Sequence, residues 1–228
     1  MPRGPRIAPG GWIFHVLNRR CGKENLFDAS PSYRDFLGIV GEAAMRDQMR
    51  VLAYCAMPTH WHMLLWPRAD GELARFVQRV TTRHTHRWHQ RHLTKGRGHL
   101  YQARYKSFPV LADDHLLTVC RYIERNPLRA GLIEPAEAWP WSSAAARIQA
   151  KDDGALCDVN AVPLTPLPTA SPRDWSRWLN EPQTAAELAS MRSCVQRGLP
   201  YGDPLWTEDA AATLGIRLEL GRAGRPKK

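Results

Sequence analysis

Two places in the chain carry side chains that could do chemistry at a phosphorus centre. The first is MPTHWHMLLWP, residues 57–67, where His60 and His62 flank Trp61. Side chains on a β-strand alternate faces, so both imidazoles project to one side, ~7 Å apart along the strand. Trp61, Met63 and Leu65 face the other side. Two imidazoles so placed can share one ion above the sheet, with a third ligand from elsewhere. Imidazole suits zinc, manganese, iron, nickel or copper, and with oxygen ligands and phosphate in the site Mg2+ or Mn2+ also fits. The competing reading is a pair of satisfied, partly buried histidines.

The second place is RYIERNPLRAGL, residues 121–132. Tyr122 and Asn126 are four apart and share a face if the segment is helical. A tyrosine hydroxyl can attack phosphorus and form a covalent phosphotyrosine. Phenols titrate near ~10, so such a nucleophile needs help. A divalent cation on the scissile phosphate gives it, by neutralising charge and polarising the P–O bond. Asn126 offers a carbonyl oxygen as third ligand, although Pro127 disfavours helical geometry at Asn126. Alternatively, Tyr122 is an amphipathic residue with a wet hydroxyl.

Charge points to a polyanion. The 228 residues carry a net charge of +10, and the pI is near 9.8. Nucleic acid fits that excess first and an anionic membrane second. No acidic residue occurs between Leu73 and Ala112. Arg75, Arg79, Arg83, Arg87 and Arg91 recur there every fourth residue, which makes a slowly winding helical ridge ~24 Å long. Trp88, interleaved with it, is a candidate base-stacking aromatic. The bland alternative is a solvated helix face. Lys95, Arg104 and Lys106 extend the basic region, and Arg19 and Arg121 flank the two motifs. Together with Arg79, Arg83, Arg87 and Arg91, these five are the expected nucleic-acid contacts. Five scattered cysteines without a CxxC argue for a reducing cytosol and against a disulfide framework or zinc cluster. No apolar run reaches the ~20 residues of a membrane span, and no secretory signal is visible, so a cytoplasmic protein associated with the nucleoid is expected.

The elements that must position these residues alternate strand, helix, strand, strand, helix, strand, helix. Residues 12–18 read as a strand. Ser30-Pro31 opens an amphipathic helix over 31–48. Residues 51–57 and 60–66 are strands joined by the Pro58-Thr59 turn. A helix begins near Gly71, an extended stretch with an edge-type proline at Pro109 covers 100–111, and Asp113 or Asp114 caps a third helix that Asn126-Pro127 ends. This predicts an α+β, ferredoxin-like antiparallel sheet packed with helices. Residues 1–146 form the catalytic unit, 147–182 a Pro-rich connector, and 183–228 a small helical segment with a basic tail.

Taken in order, MPTHWHMLL, GHLYQARYKS, CRYIERNPLRAGL and AWPWSS resemble the REP-associated tyrosine transposases, single-tyrosine members of the HUH superfamily that act on single-stranded DNA. The resemblance covers residues 7–146, and the stretch from Gly202 to Trp206 and the closing GRPKK are also similar. It implies that Tyr122 is the nucleophile and that His60, His62 and Asn126 hold a divalent ion. It further implies that the substrate is an imperfect DNA hairpin with a short single-stranded guide at its foot, cleaved to a 5′-phosphotyrosine and a free 3′-OH. His15 matches the family's first-strand histidine and is counted among the DNA-binding candidates. Gly224-Arg225-Pro226 resembles the core of an AT-hook, which makes Arg225 a minor-groove candidate; a nonspecific basic tail is the alternative. A monomer is expected, with a dimer as the alternative and no membrane partner. The rival functions are a catalytically idle hairpin-binding regulator, an RNA-binding α+β module, and a hydrolase of small phosphates.

Overall fold

A computed structural model describes residues 7–22, 24–94, 96, 98–153, 162–170 and 172–218. Four strands carry the architecture: β1 (Ile13–Arg19), β2 (Arg50–Met57), β3 (His60–Trp66) and β4 (Lys106–Val110). Their order in the sheet is β2-β3-β1-β4, and all three pairings are antiparallel. Helices α1 (Ser30–Asp47) and α2 (Glu72–Arg91) are the crossovers, and α3 (Asp114–Glu124) follows β4. This is the expected ferredoxin-like, split arrangement. Further on come α4 (Asn126–Arg129), α5 (Ala144–Asp153), α6 (Trp175–Asn180), α7 (Ala185–Arg197) and α8 (Pro204–Leu214).

The sheet is covered on both faces, because its strands alternate two different apolar sets. Phe14, Val16, Tyr54, Ala56, Trp61, Met63 and Leu65 bury against Phe36, Leu37 and Val40 of α1 and Phe76, Val77 and Val80 of α2. Ile13, Cys55, Leu64, Phe108 and Val110 face the opposite way. They pack with Leu116, Cys120 and Ile123 of α3, Trp175 and Leu179 of α6, and Met191 of α7. The strand pattern alone did not show what covers the His60/His62 side of the sheet. In the structure α3 lies over it, and His62 is buried.

Local chemistry sets the element ends. α1 starts one residue earlier than Ser30-Pro31 suggested. Its N-cap is Ala29, and Ser32 Oγ, not Ser30, accepts from the backbone N–H of Ala29 at 3.3 Å. Asp113 caps α3 by accepting from the N–H of His115 at 2.8 Å. Thr184 and Glu187 form a reciprocal capping box on α7. Pro109 lies on edge strand β4, opposite Phe14 of β1, where a missing N–H is tolerated.

The Pro-rich stretch contributes to the core. Trp175 and Leu179 of α6 are 1% and 0% exposed. Nearby, Glu124 is fully buried at the end of α3. Its carboxylate accepts from Arg147 Nε at 2.9 Å, Ser143 Oγ at 2.6 Å and Trp175 Nε1 at 2.8 Å. Arg147 also donates to the carbonyl of Leu52, within the register irregularity of β2 between Val51 and Ala53. One ion pair thus ties α3, the 142–147 segment, α6 and the irregular part of β2 together. Both sheet margins are also engaged. Residues 141–143 and 165 bond to the backbone of β2, and Tyr201 bonds to Pro109 and Leu111 beside β4. Among the described residues, no helix is long and apolar enough to cross a membrane.

Candidate active site

Strand register assembles one half of the site. His60 lies opposite Arg19 of β1 and Met57 of β2, and His62 opposite Leu17 and Cys55. Directly opposed residues share a face, so Arg19, His60 and His62 project together toward α3. His15 sits one diagonal step away on β1. Its Nε2 lies 2.9 Å from Nδ1 of His62, with the rings stacked at 5.0 Å. The His60 ring meets that of His62 edge-on at 5.0 Å, and its Nδ1 pairs with Thr59 Oγ1 at 3.0 Å.

Helix α3 brings the other half. The Tyr122 ring stands edge-on to His62 at 6.0 Å and to His15 at 6.2 Å, centroid to centroid. The tyrosine and the histidine pair therefore meet within one chain. Tyr122 is 7% exposed. Asn126 does not continue the same helix. α3 ends at Glu124, and Asn126 opens the short α4 beyond Arg125, as Pro127 requires. The carboxamide still returns to the site through Arg129. Arg129 Nη2 donates to Asn126 Oδ1 at 2.8 Å, while its guanidinium covers the Tyr122 ring at 4.2 Å.

The electrostatics keep the imidazoles neutral. Burial pushes His15 down to about 3. Burial, with Arg19 and Arg129 nearby, pushes His60 down to about 4. His62 is lowered well below its ordinary value by burial, then by His60, His15 and Arg129. Neutral imidazoles keep a lone pair for a ligand bond. Since Nδ1 is engaged on both, Nε2 is the atom that His60 and His62 would present. Cys55, beside His62, is a poor competitor because burial holds its thiol well above the ordinary value. Among the described residues no group of three or more His, Cys, Asp or Glu could hold a metal. The expected ligands, two imidazoles and the neutral oxygen of Asn126, would leave places for water and phosphate. That composition fits a divalent ion serving phosphate chemistry.

The expected DNA contacts separate into two groups. Arg19, Arg104 and Lys106 are exposed. Arg19 lies opposite His60, and Lys106 opens β4 opposite Leu17, so both flank the site. The arginine ridge lies on the far face of the sheet, and four of its five arginines share three acids that the local sequence did not show. Arg79 pairs with Asp47 at 2.9 Å, Arg83 with Glu42 at 2.5 Å, Arg87 with Asp35 at 3.7 Å, and Arg91 also with Asp35. All the acids come from α1. Trp88 is unsuited to base stacking: it is 8% exposed, with His92 stacked on it at 3.9 Å and the Arg20 guanidinium over it at 4.3 Å. Arg121 is also turned inward. It donates to the Glu181 carbonyl at 2.5 Å and covers Trp178 at 4.7 Å, because its helix position faces α6. His15 is fully buried and serves His62 rather than a DNA surface. Lys95 and Arg225 lie outside the described residues.

Arg129 and Thr59 are the residues that sequence reasoning passed over. Arg129 had a signal: it stands three residues after Asn126 and seven after Tyr122, the spacing of one helical face. Thr59 had none beyond its place in a tight turn.

The family model for "Transposase IS200 like" proteins matches residues 11–126, a span that takes in His15, His60, His62, Tyr122 and Asn126. The chain belongs to the IS200-like transposase family. Among solved structures, this transposase is similar to a REP-associated tyrosine transposase bound to a REP hairpin. The TM-score is 0.54 at 19% identity, over 81% of this chain and 100% of that one. That likeness bears out the ferredoxin-like α+β fold of the transposase. No curated protein matches its sequence significantly.

Proposed function

We propose that the transposase is a divalent-metal-dependent single-stranded DNA endonuclease and strand transferase acting beside DNA hairpins in the cytoplasm. The observation that carries this reading is the edge-on approach of Tyr122 to His62 at 6.0 Å, within one chain and above two neutral imidazoles. A similar fold has been solved on a REP hairpin, which supports hairpins of that kind as the substrate class. The fit of Tyr122 and its neighbours within one chain supports a monomer.

In the proposed reaction the Tyr122 oxygen bonds to the scissile phosphorus as the P–O3′ bond breaks. The phenol proton passes to solvent, and the departing oxygen is protonated to a 3′-OH. One ester is exchanged for another, so no external energy is required. His60 and His62 through Nε2, and Asn126 through Oδ1, would hold the ion, which supplies charge neutralisation at the phosphate. Arg19 and Lys106 flank the site and would hold neighbouring phosphates. Attack of a 3′-OH on the phosphotyrosine would reverse the first step and join new ends.

Incubation of a hairpin oligonucleotide with Mg2+ or Mn2+, followed by a denaturing gel, tests this reading. The expected result is a covalent adduct that Tyr122→Phe abolishes; an adduct that survives the substitution refutes the role of Tyr122. One observation favours a second reading, the idle hairpin-binding regulator: Tyr122 is buried and its ring is covered by Arg129. That reading predicts tight hairpin binding with no adduct in either metal.

A further inference from the structure

Arg129 sits where a positive charge is hardest to explain for a metal site. Its guanidinium lies 4.2 Å over the Tyr122 ring and donates to the very oxygen, Asn126 Oδ1, that would ligate the ion. Its charge also acts on His60 and His62. No acid neutralises it: among the described residues Arg129 has no ion-pair partner, and its buried Nη1 has no hydrogen-bond partner at all. Buried guanidinium N–H groups are normally satisfied. An unsatisfied one beside a nucleophile is a place for an anion with two adjacent oxygens, the geometry that arginine recognises in phosphates.

We propose that Arg129 is a phosphate-binding residue of the site, and that its fixed charge makes metal occupancy depend on the phosphodiester. The inference rests on the proposed metal-dependent reading. In the free protein a dication must approach two neutral imidazoles and a carboxamide with Arg129 already beside them, and like charges repel. A phosphodiester oxygen pair accepting from Arg129 changes the sign of the local field. The ion then finds an anion where it had found a cation. Metal and DNA each raise the other's affinity, as linkage requires. The same contact would draw Arg129 toward the phosphate and off the Tyr122 ring, which uncovers the nucleophile only when substrate is in place. The ion site is then weak in the absence of DNA and strengthens only with a strand in place.

The test uses the full chain in a Tyr122→Phe background, so that binding is read without cleavage. Mn2+ affinity is measured by calorimetry or by the free-ion resonance signal, with and without a short single-stranded oligonucleotide carrying a hairpin. With Arg129 present, the oligonucleotide should tighten Mn2+ binding by about tenfold or more. Arg129→Met should bind Mn2+ alone several-fold more tightly, bind the oligonucleotide more weakly, and lose the mutual enhancement. Arg129→Lys, which keeps the charge without the fork, should keep weak Mn2+ binding to the free protein. It also serves if the Met chain fails to fold. Enhancement that persists in Arg129→Met, or Mn2+ binding that weakens there, overturns the proposal and leaves the metal reading standing. Absence of Mn2+ binding in every chain, with or without oligonucleotide, overturns both.

Discussion

Replacing His15 with Phe should weaken Mn2+ binding at the proposed metal site while leaving the fold intact. The His15 imidazole is fully buried, and its Nε2 meets His62 Nδ1 at 2.9 Å. If His62 presents Nε2 to an ion, its Nδ1 carries the proton and donates to His15. The hydrogen bond then fixes both the tautomer and the ring orientation. Loss of such outer partners typically costs 10–100-fold in metal affinity, or about 1.4–2.7 kcal/mol. The stability change should be much smaller. His15 Nδ1 is buried without a hydrogen-bond partner among the described residues, so Phe removes one orphaned polar atom while stranding another on His62. Each is worth about 1–3 kcal/mol, and the two nearly cancel. The ring itself still packs against Phe108, whose centroid lies 4.8 Å away. Mn2+ titration by calorimetry at neutral pH and urea unfolding in EDTA separate the two quantities. Unchanged Mn2+ affinity would refute the orienting role. A loss of several kcal/mol in EDTA would show that His15 holds the fold rather than the ligand.

Other consequences are equally measurable. Glu124→Ala strands the buried Arg147 guanidinium and should cost about 3–5 kcal/mol in urea unfolding, part of which Arg147→Met in the same chain should restore. Arg19→Ala and Lys106→Ala should each lower the salt slope of oligonucleotide binding by about one. Arg79→Ala with Arg83→Ala should leave that slope unchanged, since both arginines face acids of α1. His84 is lowered to about 3 by burial, below its unfolded value of ~6.5. The neutral form is therefore favoured in the fold. Its contribution is fully present above pH ~6.5 and is lost as pH falls toward 3, by ~1.4 kcal/mol per pH unit. Urea midpoints between pH 6.5 and 4.5 should fall less steeply for His84→Phe than for the parent chain, and parallel slopes would contradict the assignment.

What the sequence revealed, and what it hid, follows from the range of the interactions. His60–Trp66 was legible as a strand with its bounds because period-2 alternation is local. The same alternation placed both imidazoles on one side, and the element order led to the ferredoxin-like sheet. What covers that side was not legible, since α3 arrives from fifty residues further on. The ion pairs of the arginine ridge were hidden for a related reason: Asp35, Glu42 and Asp47 lie outside any window drawn around α2. Asn126 was placed correctly beside a helix end by Pro127, but its link to Tyr122 through Arg129 needs the turn between α3 and α4, which spacing alone does not give. The 162–182 region lacks helical periodicity because α6 is only six residues long, too short to display a period while still delivering Trp175 to the core.

The occupied margins of the sheet bear on how this protein behaves in company. An uncovered strand edge is a ready template for pairing with another chain. Here a joining strand would first have to displace residues 141–143 from β2, or Tyr201 from the 109–111 end of β4. A chain shortened before Leu199 would lay bare that second margin. Such a chain should self-associate as its concentration rises, with the onset in light scattering reporting how much two backbone bonds from one tyrosine hold back. The C-terminal segment is then a guard against aggregation, independent of any part it plays with DNA.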